Sequence, residues 1–177
     1  MKFRELEITG LFEIELFHAE DQRGSFTKSF HGPAFKEQGL QEVFRESFYS
    51  TNHKGVIRGM HFQNPPHDHD KLVYCTAGRI LDVVLDLRKN SGSYGKFVTI
   101  EISSENHKAV YIPKGLAHGF CCLTEATMIY LTSTVHNSKS DNGVRWDSFG
   151  MQWPEESPIM SERDQRFQTF HELISPF

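Results

Sequence analysis

Cysteine is scarce in this chain, and its placement argues against a disulfide framework. Only Cys75, Cys121 and Cys122 occur, an odd number. The last two are neighbours whose side chains point to opposite faces of any strand. The expectation is a reducing compartment, the cytoplasm, with the thiols serving as small core residues. Long apolar runs are lacking too: the opening MKFRELEITG holds nothing that could act as a signal peptide or a membrane span. No charge of one sign dominates, since 19 Lys and Arg face 23 Asp and Glu for a net charge of -4. That balance gives no global attraction to nucleic acid or to an anionic membrane. Any anion site must therefore be a local cluster of basic side chains. Repeats and low-complexity segments are absent.

What is present is strand signal. The 177 residues fit one domain, taken as 1–177, long enough to bury a core. In the segment from Ile80 to Leu87, residues 81, 83, 85 and 87 are apolar while Asp82 and Asp86 share the other face. Such a period of two predicts a half-buried strand. Residues 97–102 alternate likewise, with Val98, Ile100 and Ile102 on one side. Val110-Tyr111-Ile112 stops at Pro113, and residues 127–135 are rich in β-branched side chains. Turn clusters at 90–93, 103–106 and 138–143 separate these runs. Helical signals are short. Pro33 and Gly39 bracket about one and a half turns, and Ser161 can cap a short helix with Glu162 and Asp164 in its first turn. Phe167, Phe170, Leu173 and Ile174 recur at helical spacing, as a stripe packed on a sheet would. Many short strands with regular turns predict an all-β chain, a barrel or a double-sheet jelly roll.

One stretch concentrates chemistry. Arg58-Gly59-Met60-His61-Phe62-Gln63, with Lys71 shortly after, gathers a guanidinium, an imidazole and an ammonium. That set can hold an anion, take a proton from carbon and stabilise the resulting oxyanion.

Several further motifs point to a family. Asp21-Gln22-Arg23-Gly24-Ser25-Phe26 reads as "DxRGxF", residues 55–63 as "KGVxRGxHxQ" after Lys54, and Lys71-Leu72-Val73 as "KLV". Residues 112–120 (IPKGLAHGF), 143–147 (GVRWD) and 158–164 (PIMSERD) follow in the same order. Together they resemble the dTDP-4-dehydrorhamnose 3,5-epimerase family across nearly the whole chain. The resemblance implies a cupin-type jelly roll with a few short peripheral helices, a homodimer whose protomers exchange amino-terminal strands, and neither metal nor organic cofactor. The implied substrate is a nucleotide-diphosphate 4-keto-6-deoxy sugar inverted at carbon 3, carbon 5 or both.

By the same resemblance, His61 matches the base and Asp164 the carboxylate that orients it. Tyr130 matches the proton donor across the ring, and Lys71 the ammonium at the keto oxygen. Arg58 and Arg23 match anion-holding arginines, the latter reaching into a neighbouring protomer, with Phe26 beside it. His118 matches a pocket-lining histidine. Two departures mark substrate choice: Arg45 and Ser47 stand where a glutamine and an asparagine are usual, and Lys28 where a glutamate is usual. A different reading is a metal-dependent cupin such as a dioxygenase, with His67, His69 and His118 as ligands. Against it, the glutamate expected after the H-x-H pair is missing. The residues are also compatible with a single-site 3- or 5-epimerase on a non-thymidine nucleotide sugar, and with a non-catalytic sugar-binding module.

Overall fold

The computed structural model describes residues 1–177. Its thirteen strands and two short helices run, in chain order, β1 (Lys2–Glu5), β2 (Phe12–Glu15), β3 (Phe17–Asp21), β4 (Gly24–Lys28), α1 (Gly32–Glu37), β5 (Glu46–Asn52), β6 (Ile57–Gln63), β7 (Lys71–Ala77), β8 (Arg79–Asp86), β9 (Phe97–Ser103), β10 (Lys108–Ile112), β11 (Leu116–Cys122), β12 (Ala126–Thr132), β13 (Asp141–Gly143) and α2 (Glu162–Gln165). One sheet has the order β1-β2-β10-β7-β12-β5 and the other β13-β6-β11-β8-β9. All neighbours are antiparallel. The β3–β4 hairpin pairs only with itself. This is the double-sheet jelly roll of the cupins.

The inner faces of the two sheets meet in a core that includes Val73, Val110, Met128 and Tyr130 from one sheet and Ile80, Val84, Ile100 and Phe120 from the other. Each outer face is covered as well. Val83 and Leu85 of β8 lie under Val144, Met151 and Leu173 from the carboxy-terminal segment. Leu72 and Tyr111 lie under Phe35 of α1.

That double cover corrects the reading of β8 as half-buried. Asp82 and Asp86 are both 0% exposed, because alternation here separates two buried faces rather than core from water. Burying them is tolerable because each is hydrogen-bonded. Asp86 accepts from Arg88, Ser91 and Ser93, and Asp82 from His118. All three cysteines are buried and free.

Pro33 lies in the first turn of α1 and Gly39 follows the helix, as expected, and Ser161 caps α2 by accepting from the Asp164 N–H at 3.1 Å. The aromatic stripe after it is not helical. The chain beyond Gln165 runs in turns that pack Phe170 and Leu173 against the sheet, while Ile174 is 89% exposed. The 138–143 turn cluster also holds β13, which closes an edge of the second sheet against β6.

Phe35 is fully buried and meets Phe3, Phe30, Phe44 and Tyr111 in edge-on or tilted geometry. Truncating it removes both transfer energy and packing. Phe35→Ala is expected to lower unfolding stability by about 3–5 kcal/mol, read from the midpoint of a denaturant titration.

Candidate active site

Between the sheets lies a cavity of about 390 Å³ whose walls include Arg58, His61, Lys71, His118 and Tyr130. Four of these five come from the stretches singled out in the sequence. They converge because β6 and β11 pair antiparallel with His61 opposite His118. That register depends on two glycines. Gly59 has φ +132°, and a Cβ there would sit 2.5 Å from the Gly119 Cα. The backbones touch where β11 bulges, and the approach leaves both histidines on the inner face.

His61 is held from behind. Its Nε2 lies 2.9 Å from Asp164 Oδ1, and the second carboxylate oxygen accepts the Gly59 N–H at 3.2 Å. An ionised carboxylate can only accept, so Nε2 carries the proton. Nδ1, which has no hydrogen bond within the chain, is left with the lone pair. The Phe167 ring stands edge-on to the imidazole, with centroids 5.8 Å apart. Phe167 can do so because Gly143 offers no side chain: a Cβ there would lie 2.3 Å from that ring.

Burial lowers the His61 pKa, Asp164 raises it in part, and Lys71 and Arg163 add to the fall, so the ring is neutral near pH 7. Burial resists ionisation of Asp164, yet the His61 and Gly59 hydrogen bonds and nearby Arg163 hold its pKa below the ordinary value. Lys71 Nζ donates to the His61 carbonyl at 3.2 Å. Burial brings the Lys71 pKa down to about 8, with Asp141 and Asp82 opposing the drop. The Tyr130 hydroxyl, 3.3 Å from Ser50 Oγ, is raised well above its usual value by burial and stays protonated. Its ring stacks on Phe48 at 4.7 Å. His118 Nε2 lies 2.7 Å from Asp82. Arg58 Nε donates to Asn52 at 2.6 Å, and its terminal nitrogens form no hydrogen bond within the chain.

The other expected residues lie elsewhere. Arg45 and Ser47 do not line the cavity. β5 pairs with β12 so that Tyr130 faces Phe48 and Thr132 faces Glu46, which puts Glu46, Phe48 and Ser50 on the inner wall. A one-residue offset in the reading of this strand exchanged its two faces. Arg23, Phe26 and Lys28 sit on the exposed hairpin, away from their own chain's cavity. Arg23 there pairs with Asp21. Asp141 and Arg163, joined by an ion pair on the cavity wall, were not anticipated, although Arg163 belongs to the PIMSERD motif.

The imidazoles of the metal reading do not converge. His67 bonds to Ser140 at 2.9 Å, His69 lies 3.1 Å from Gln63, and His118 serves Asp82. No group of three or more His, Cys, Asp or Glu is placed to share an ion.

A jelly roll with a neutral, carboxylate-oriented histidine, an ammonium and a phenol around one cavity is a cupin equipped for proton transfer. The sequence profile of dTDP-4-dehydrorhamnose 3,5-epimerases matches residues 5–172. The chain belongs to this family and is an isomerase. The dTDP-4-dehydrorhamnose 3,5-epimerase of Escherichia coli (strain K12) is 39% identical over 175 residues, covering 96% of this chain and 94% of that one. The dTDP-4-dehydrorhamnose 3-epimerase of Streptomyces niveus is 35% identical over 169 residues, covering 93% and 82%. The crystal structure of dTDP-6-deoxy-D-glucose-3,5-epimerase from Legionella pneumophila Philadelphia 1, in complex with dTDP-4-keto-L-rhamnose, superposes with a TM-score of 0.93. It is 30% identical, over 97% of this chain and 94% of that one.

Because a Cβ at position 59 meets backbone and not a flexible side chain, Gly59→Ala has no easy relaxation. It is expected to cost about 2–5 kcal/mol of stability, combining overpacking with an unfavourable positive φ, as read by chemical unfolding.

Proposed function

We propose that this chain, acting as one catalytic unit, inverts carbon 3, carbon 5 or both in a dTDP-linked 4-keto-6-deoxy sugar. The observation that carries the reading is the neutral His61, backed by Asp164, sharing one cavity with Lys71 and Tyr130. The 4-keto group acidifies the hydrogens on both neighbouring carbons. His61 Nδ1 takes one of them, and the electron pair moves onto the keto oxygen as an enolate. The Lys71 ammonium offsets that charge inside a cavity walled by the two sheets. Tyr130 then returns a proton to carbon from the opposite face, and solvent exchange resets both groups. Asp164 keeps the His61 proton on Nε2 and stabilises the imidazolium between the two transfers. Arg58 holds the diphosphate through its unused guanidinium nitrogens.

The working form in this proposal is a homodimer in the cytoplasm. Its support is the β3–β4 hairpin, on which Phe17 and Phe26 are 50% and 58% exposed and pack on each other at 6.4 Å. A second copy covering them would bring Arg23 and Lys28 toward its neighbour's cavity. Three free thiols suit a reducing compartment. No helix is long and apolar enough to cross a membrane.

Incubating dTDP-4-keto-6-deoxyglucose with the protein in deuterium oxide tests the reaction. NMR is expected to show label at carbon 5, carbon 3 or both; no label at either carbon would sink the reading. His61→Ala should slow exchange by about 10²–10⁴-fold, the usual contribution of a positioned base.

The pH profile follows from the two shifted groups. His61 acts when neutral, so kcat/KM falls as pH drops through its depressed pKa, below 6.5. Lys71 acts when charged, so kcat/KM falls again as pH rises through about 8. Lys71→Arg keeps a cation that does not titrate in this range. Its expected profile loses the alkaline limb and keeps the acid one.

A further inference from the structure

Two carboxylates line the cavity without a step in the reaction as proposed, Glu46 and Asp141, and only Glu46 lacks an ion pair. Glu46 of β5 pairs with Thr132 of β12, and Thr132 pairs with Lys71 of β7. All three line the cavity, so they form one row across the inner face of the sheet. With strands about 4.8 Å apart, the α-carbons of Glu46 and Lys71 are separated by about 10 Å. Glu46 is also fixed in place. Its Oε2 accepts the His136 N–H at 2.6 Å, whereas Oε1 has no hydrogen bond and the side chain has no ion pair. The only other carboxylate on the cavity wall, Asp141, is neutralised by Arg163.

A held carboxylate with a free oxygen is an acceptor without a donor. In a cavity that takes an anionic substrate it is repulsive unless the substrate brings an N–H or O–H to it. We infer that Glu46 is a specificity-determining residue. Its free oxygen accepts a hydrogen bond from a hydroxyl or amino group on the sugar ring, on the side away from the keto oxygen. This rests on the proposed epimerase reading, and in particular on the keto oxygen facing Lys71. A sugar with a hydrogen atom in place of that donor leaves the carboxylate facing apolar substrate and is rejected.

The test measures deuterium entry at carbons 3 and 5 for four dTDP-4-keto-6-deoxy sugars: the 2,3-dihydroxy compound, its 2-deoxy and 3-deoxy analogues, and a 3-amino analogue. The wild type should favour the dihydroxy sugar over one deoxy analogue by about 10–100-fold, as a charge-assisted hydrogen bond gives. A 3-amino sugar exchanged faster than the dihydroxy one would identify an amine as the preferred donor; the reverse order would identify a hydroxyl. In Glu46→Ala the preference should collapse to within about threefold, and Glu46→Gln, which retains a neutral acceptor, should fall between. An undiminished preference in both variants overturns the assignment. So does a Glu46→Ala protein that changes oligomeric mass while keeping the preference, since the carboxylate would then pair with a second copy. Absence of exchange by the wild type on every sugar would count against the epimerase reading itself and not against Glu46.

Discussion

A histidine takes a proton from carbon only while its ring is neutral, and it returns to that state only if the imidazolium is not too stable. His61 meets both conditions through two opposed effects. Burial between the sheets disfavours the charged ring, and Asp164 behind it favours the charge. Remove the burial and the carboxylate would hold the ring protonated; remove the carboxylate and the tautomer would be free to flip. Much of the architecture sustains this balance. The Gly59–Gly119 contact brings the backbone carrying His61 close to β11. The Ser161 cap fixes the turn that presents Asp164, and Gly143 leaves room for Phe167 beside the ring.

The same low-polarity setting governs the other groups. Tyr130 remains a phenol because burial resists the phenolate, which suits a proton donor. Lys71 is near the edge of its charged range, because burial drives its pKa toward neutrality while Asp141 and Asp82 hold it back. Asp82 therefore has more than a local role. It is fully buried, pairs with His118, and its charge bears on both Lys71 and Tyr130. An inward-facing acid that looks like a surface residue in the strand pattern is part of the electrostatics of the cavity.

The legibility of the sequence varied with the physics behind each signal. Capping and turn chemistry are local, so Pro33, Gly39 and Ser161 were readable from a few neighbours. The alternation of β8 was readable as a period but not as an environment. Asp82 shares the inner face with Ile80 and Val84, which meets the other sheet, while Val144 and Leu173 from much later in the chain cover the opposite face, so neither environment is visible in the period itself. The partnership of His61 with Asp164 spans 103 residues and was suggested by resemblance, since no spacing rule connects them. β5 failed for a sharper reason. With a period of two, an offset of one residue converts the wall of a cavity into its outside, which is why Arg45 and Ser47 were named in place of Glu46 and Phe48.

That offset bears on how such a scaffold separates chemistry from selectivity. The groups proposed to move protons or stabilise the enolate lie on β6, β7, β12 and α2, and three of these elements are paired strands of the two sheets with neighbours on both sides. β5, by contrast, is the edge strand of its sheet, bonded only to β12. Substituting an edge residue disturbs one ladder and not two, so the wall it contributes can vary without shifting His61 or Lys71. Glu46 is on that wall, in the same row as Lys71 but two strands away. The residues proposed to act on carbon are thus held largely by interior strands, and Glu46, proposed to face the rest of the sugar, is held by an edge strand.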